Sequence, residues 1–197
     1  QTAKIMLAFE EVLQKEQPDL VLVVGDVNST IACALVAVKM NIPVAHVEAG
    51  LRSGDRGMPE EVNRILTDSI SDYLFVTEMS GMINLAKENV PDERIFFVGN
   101  CMIDSLVHYQ ARARQLSYSA VLPDKPAIQD QSYVLMTMHR PSNVDFVEGL
   151  TAILSIIEDA VQYRQVVFPV HPRTLKNLEN SGLLERFERI PNLITTE

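Results

Sequence analysis

Apolar residues in this chain follow two alternating rhythms. Short runs of consecutive apolar positions, at 20–24, 43–47, 73–76 and 94–98, are separated by stretches in which apolar positions recur every three to four residues. Short unbroken runs suit strands of a parallel sheet with both faces covered, and the longer period suits amphipathic helices. The pattern predicts a helix over 2–15, strand 20–24, helix 30–40, strand 43–47, helix 60–71, strand 73–76, helix 79–89, strand 94–98 and helix 102–116. Residues 117–132 break the rhythm: they carry Pro123 and Pro126 and hold no sustained period, so they read as a linker. The alternation resumes with strand 133–137, helix 146–163, strand 166–170 and helix 174–180.

Strict alternation of strand and helix predicts parallel, doubly wound α/β architecture. Here it does so twice, giving two Rossmann-like units, at 1–116 and 133–197, and an expected cleft between them. Gln1 already lies inside a helical pattern, and Asn192-Leu193-Ile194 reads as a strand barely begun. Both units are therefore expected to be incomplete.

Composition narrows the partners. The 197 residues are 47% hydrophobic and 22% charged, as in ordinary globular proteins. A net charge of −9 argues against a nucleic-acid or anionic-membrane surface, so an anionic ligand would need local arginines. No apolar run approaches the roughly 20 residues of a membrane span. Cys33 and Cys101 sit in apolar patterns and read as reduced packing residues of a cytoplasmic protein.

The segment HVEAGLRSGDRGMPEEVNR, His46 to Arg64, packs three arginines, four acids and three glycines into one connection that follows a strand. In parallel sheets, ligands bind at the carboxyl ends of strands, where Glu48 falls. Its bland alternative is an ion pair with Arg52 or Arg64. His46 is expected to be a hydrogen-bonded core residue. Pro59-Glu60-Glu61 suits a helix start, with Pro in the first turn and acids near the positive end of the dipole. Arg64 could pair with Glu60 at i,i+4. GDVNST, Gly25 to Thr30, also joins a strand to a helix, which Asn28 or Ser29 could cap. Such a helix start can hold an anion, but Asp26 would oppose a phosphate and better fits proton chemistry or a sugar hydroxyl.

Downstream, His139-Arg140 and His171-Pro172-Arg173 place a histidine and an arginine at two successive strand ends. Their spacing is not that of a metal site, and no glycine-rich dinucleotide fingerprint is present.

Taken in order, GDVNST, HVEAGLRSGDRGMPEEVNR, VGNCMIDSL (98–106), MHRPSN (138–143) and FPVHPRT (168–174) resemble the non-hydrolysing UDP-N-acetylglucosamine 2-epimerases. The resemblance implies two Rossmann-like domains facing a cleft, as in GT-B glycosyltransferases. It implies a cytoplasmic homodimer, without metal or cofactor, that interconverts UDP-GlcNAc and UDP-ManNAc for bacterial surface polysaccharides. UDP-GlcNAc can also activate bacterial members at a second site. Carried onto this chain, the catalytic candidates are Asp26, Glu48, Glu60 and His139, and the substrate-binding candidates are Arg64, Arg140, His171 and Arg173. The family pattern has a further strand before these residues and a uridine-gripping segment after them, so the isolated 197 residues are expected to be inactive. The alternatives are a hydrolysing 2-epimerase releasing UDP and ManNAc, a glycosyltransferase on the same fold, and a catalytically idle nucleotide-sugar sensor.

Overall fold

A computed structural model describes residues 1–123, 128 and 132–196. They form two compact units, 1–109 and 110–197, with the division falling inside one helix. In the first unit the order is α1 (Thr2–Glu16), β1 (Val21–Val24), α2 (Asn28–Lys39), β2 (Val44–Val47), α3 (Pro59–Ile70), β3 (Tyr73–Val76), α4 (Met79–Lys87), a 3-10 turn (Asp92–Arg94), β4 (Ile95–Phe97) and α5 (Cys101–Gln115). In the second, α6 (Tyr118–Val121) precedes β5 (Tyr133–Leu135), α7 (Pro141–Val144), α8 (Val147–Ala160), β6 (Gln165–Pro169), α9 (Pro172–Asn180), α10 (Leu184–Glu188) and β7 (Leu193–Thr196). The elements expected from the apolar rhythm are all present, with ends displaced by a few residues.

Both sheets are parallel throughout, β1-β2-β3-β4 and β5-β6-β7. The strand order steps in one direction only. Right-handed crossovers then place every connecting helix on the same face. In the first unit that face is a core of Leu13, Val21, Val23, Ala34, Ala37 and Val44, continued by Leu74, Val76 and Leu85 under α4. Removing a leucine or valine side chain of this kind from water stabilises by about 1.5–3 kcal/mol.

Among the described residues, helices cover one face of this sheet. Along β1, Val21 and Val23 are buried while Leu22 and Val24 are about half exposed, at 56% and 51%. Pairing in register puts Leu22 beside Ala45 and Ala45 beside Tyr73, on the face opposite the helices. Tyr73 and Phe96 are exposed on that same face, where their rings meet. The one-way order of β1 to β4 puts the connecting helices of the described residues on the opposite face.

In the second unit, Val144, Leu150, Leu154, Ile157, Val166, Phe168, Leu178 and Phe187 form the core between β6 and α7 to α10. Gly149 is required where α8 starts beside α7, because a Cβ there would fall 2.3 Å from the Asn143 carbonyl oxygen. The other face bears Val167 and Ile194, with Ile128 and Tyr118 packed on them. Part of the expected linker therefore packs onto this sheet. The linker signal at Pro126 lies outside the described residues.

The two cysteines diverge. Cys33 is partly buried in α2, and burial pushes its thiol up. Cys101 is exposed at the start of α5, against the packing role expected for it. No helix among the described residues is long and apolar enough to cross a membrane.

Candidate functional site

The site residues of the first unit gather at the carboxyl ends of β1 and β2 and the start of α3. Glu48 directly follows β2 and has φ +71, a left-handed conformation that costs an L-residue about 1–3 kcal/mol and persists only where its surroundings impose it. That conformation turns the side chain back across the sheet end. Glu48 Oε2 lies 3.5 Å from where a Cβ on Gly25 would stand, so the carboxylate rests over the glycine that ends β1. Asp26 is the next residue. Glu48 and Asp26 are thus brought to one end of the sheet by the register of β1 on β2, extended by the Gly25 N–H donating to the Val47 carbonyl at 3.0 Å.

Helix α3 holds Asp26 twice. Arg64 pairs with its carboxylate, and the Asn63 amide donates to its backbone carbonyl at 2.8 Å. The ion pair anticipated between Arg64 and Glu60 is not formed. Arg64 instead reaches Asp26 and, at 3.4 Å, Glu61. The bland pairing of Glu48 with Arg52 or Arg64 fails too, because both guanidiniums are taken by other carboxylates. Among the described residues, neither Glu48 nor Glu60 has a cation within ion-pair distance. Glu60 sits one turn before Arg64 on α3 and is half-buried. Neither Asn28 nor Ser29 caps α2. That helix starts at Asn28 from Val27, and Thr30 Oγ1 donates back to the Val24 carbonyl at 2.8 Å.

Beneath these groups lies a buried polar layer. All the buried residues of α3 are polar: Glu61, Thr67 and Asp68. Glu61 accepts from the backbone N–H groups of Ser53 and Gly54, at 2.8 and 3.0 Å, and pins the loop between Glu48 and α3. Burial raises its carboxyl, but those hydrogen bonds and the charge of Arg52 outweigh burial and hold it below the usual glutamate range. Asp68 accepts from His46 Nδ1 at 2.7 Å and from the Gly50 N–H at 3.0 Å, and it pairs with Arg52 at 2.7 Å. His46, fully buried as expected, reaches the Gly25 carbonyl through Nε2 at 2.9 Å. Burial pulls the Arg52 guanidinium down, yet Glu88 and Asp68 outweigh it and leave the group above its ordinary value.

Gly50 and Gly81 let this loop sit against α4. A Cβ on Gly50 would fall 2.5 Å from the Gly81 carbonyl oxygen, and one on Gly81 would fall 2.7 Å from Val76 Cγ1. The Asn84 amide then donates to the Gly50 carbonyl at 2.9 Å.

In the second unit, His139 follows β5 and His171 follows β6. Their rings stack at a centroid distance of 6.1 Å, and both are exposed. His171 caps α9 by accepting the Arg173 N–H at Nδ1, 3.1 Å away. Arg173 makes a two-pronged pair with Asp145, at 2.8 and 2.5 Å. Its hydrogen bonds and the Asp145 charge raise it above the ordinary arginine value. Arg140, at the start of α7, is exposed. Among the described residues no three His, Cys, Asp or Glu side chains are grouped to hold a metal ion.

A profile of the UDP-N-acetylglucosamine 2-epimerase family matches residues 1–197. The chain belongs to that family. It is 42% identical over 195 residues to a UDP-N-acetylglucosamine 2-epimerase of Methanocaldococcus jannaschii, covering 95% of this chain and 52% of that one. It is 41% identical over 185 residues to the UDP-2,3-diacetamido-2,3-dideoxy-D-glucuronate 2-epimerase of Pseudomonas aeruginosa, covering 92% of this chain and 50% of that one. The crystal structure of a Methanocaldococcus jannaschii UDP-GlcNAc 2-epimerase in complex with UDP-GlcNAc and UDP superposes with a TM-score of 0.86 at 38% identity, covering 100% of this chain and 54% of that one. The chain spans about half the length of these relatives. Two parallel Rossmann-like units of the GT-B type, the expected fold class, are what this epimerase-family chain shares with that structure.

Sequence reasoning missed two residues of this buried polar layer, Glu61 and Asp68. With Arg64 they stand at i, i+3 and i+7 on α3, a spacing that lays all three along one helical face. A signal was therefore present. It went unread because carboxylates inside a helix are usually solvent-facing.

Proposed function

We propose that the protein containing this chain epimerises the C2 centre of a UDP-linked 2-acetamido sugar, interconverting UDP-GlcNAc and UDP-ManNAc by eliminating and re-adding UDP. The observation that carries this reading is the convergence of Asp26 and Glu48 at one sheet end, with Glu60 one turn from the arginine that clamps Asp26.

The chemistry needs such a group of acids. A sugar C2 proton is not acidic in the ground state. As the C1–O bond to UDP breaks, positive charge grows on the ring and acidifies C2–H, and a carboxylate removes that proton. The products are 2-acetamidoglucal and UDP. Returning a proton to the opposite face of C2 and re-adding UDP at C1 inverts the centre, so groups are needed on both faces of the ring. Asp26, Glu48 and Glu60 are assigned to these transfers and to stabilising the oxocarbenium-like charge. Among the described residues no cation pairs with Glu48, so its carboxylate is not engaged in an ion pair.

His139 is assigned to the diphosphate as a donor to the departing oxygen. Arg140, His171 and Arg173 are further contacts for UDP, and Arg64 serves chiefly to hold Asp26. The whole protein is proposed to act as a cytoplasmic homodimer without a cofactor, with UDP-GlcNAc also as activator and polysaccharide synthesis as its destination.

The likeness to the Pseudomonas enzyme supports a second reading, a diacetamido uronate as substrate. The two are separated by incubating the protein, expressed from its complete open reading frame, with each UDP sugar and following the anomeric proton signals by NMR. Formation of UDP-ManNAc from UDP-GlcNAc supports the first reading. Turnover of the diacetamido uronate alone transfers the assignment to the second, and UDP with free ManNAc would mark a hydrolysing enzyme.

A further inference from the structure

The buried pair His46 and Asp68 makes no hydrogen bond or ion pair among the described residues with a side chain assigned to catalysis, yet it is tied to the backbone on both sides of Glu48 and beside Asp26. We propose that Asp68 is a positioning residue, which through His46 and Gly50 sets where the carboxylates of Glu48 and Asp26 stand. The inference rests on the epimerase reading of the same site.

The restraints are specific. Glu48 holds its left-handed φ of +71 between two points fixed by one carboxylate: His46, two residues before it, and the Gly50 N–H, two residues after it. The opposite edge of the His46 ring reaches the carbonyl of Gly25, the residue before Asp26. One carboxylate on α3 therefore fixes both strand ends that carry the acids. Asp68 is 1% exposed, and His46 is fully buried.

The two Asp68 oxygens divide their partners: one meets His46 Nδ1, and the other meets the Gly50 N–H and Arg52. This division tells Asp68→Asn apart from Asp68→Ala. An asparagine can turn its oxygen to the Gly50 N–H and Arg52 and its amide to His46 Nδ1. The tether from His46 Nε2 to Gly25 then survives. Alanine removes every tether.

The test uses the protein expressed from its complete reading frame, with rates normalised to folded protein and measured as deuterium uptake at C2 in D2O. Asp68→Ala should lower kcat by about 10²-fold, the order expected when catalytic groups are misplaced by about 1 Å. KM and UDP affinity should stay within about threefold of the unsubstituted protein, because the diphosphate contacts are elsewhere, and Asp68→Asn should recover most of the lost rate. Should Asp68→Ala fail to fold, His46→Gln carries the same expectation, since its amide cannot span both Asp68 and Gly25. A kcat for the alanine or glutamine variant within threefold of the unsubstituted protein would overturn the proposal. A loss in Asp68→Asn as deep as in Asp68→Ala would overturn it as well. Absence of C2 exchange in the unsubstituted protein would instead overturn the epimerase reading, which separates the two failures.

Discussion

Arg64 pairs with the carboxylate of Asp26 across the gap between α3 and the end of β1, while its neighbour Asn63 holds the backbone carbonyl of the same aspartate. The aspartate is fixed by main chain and side chain alike, and the two anchors do different work. The amide bond from Asn63 sets the loop, and the guanidinium sets the direction of the carboxylate.

Replacing Arg64 by methionine should therefore separate activity from stability. Both partners are about one-fifth exposed, so losing the pair should cost no more than about 1 kcal/mol in thermal unfolding. Steady-state kinetics should show kcat reduced by about ten- to a hundredfold, because Asp26 loses its orientation. A variant with unchanged kcat would remove Arg64 from the site.

Glu61 predicts how acid acts on the first unit. Its folded pKa lies below the ordinary glutamate value, so its contribution is complete above about pH 4.3 and is lost as pH falls through the lower folded value. Glu61→Gln should destabilise by about 1.5–3 kcal/mol at pH 7, since two backbone donors lose a charged acceptor. In denaturant titrations the gap between variant and parent should narrow below pH 4.3 and stay constant from pH 5 to 8.

Two glycines with left-handed φ should respond differently to alanine. Gly50 has φ +78 and meets the Gly81 backbone at 2.5 Å, whereas Gly54 has φ +76 and open space around it. Gly54→Ala should cost about 1–2 kcal/mol, the conformational penalty alone. Gly50→Ala adds a backbone clash worth a further 1–3 kcal/mol, roughly, so urea midpoints should fall in the order parent, Gly54→Ala, Gly50→Ala.

What could be read in advance divides along physical lines. Val21–Val24 and Tyr73–Val76 were legible as strands because short apolar runs depend on local pattern alone. That Leu22 and Tyr73 face away from the helices was not legible, since it depends on which way successive crossovers step. The motifs placed Asp26 and Glu48 at the carboxyl ends of neighbouring strands, and Arg64 pairs with Asp26 there. The partner of Arg64 was misread because helix spacing offers only Glu60 or Glu61, whereas its main partner, Asp26, comes from the end of β1. Asp68 escaped notice because its three partners come from residues far away in the chain or outside its own helix.

The most direct measurement incubates the protein, expressed from its complete open reading frame, with UDP-GlcNAc in D2O and follows the sugar by proton NMR. The account predicts deuterium at C2 of both UDP-GlcNAc and UDP-ManNAc, with the exchange abolished by Glu48→Gln or Asp26→Asn. UDP-ManNAc formed with its C2 proton retained, or substrate bound with neither exchange nor turnover, would contradict it.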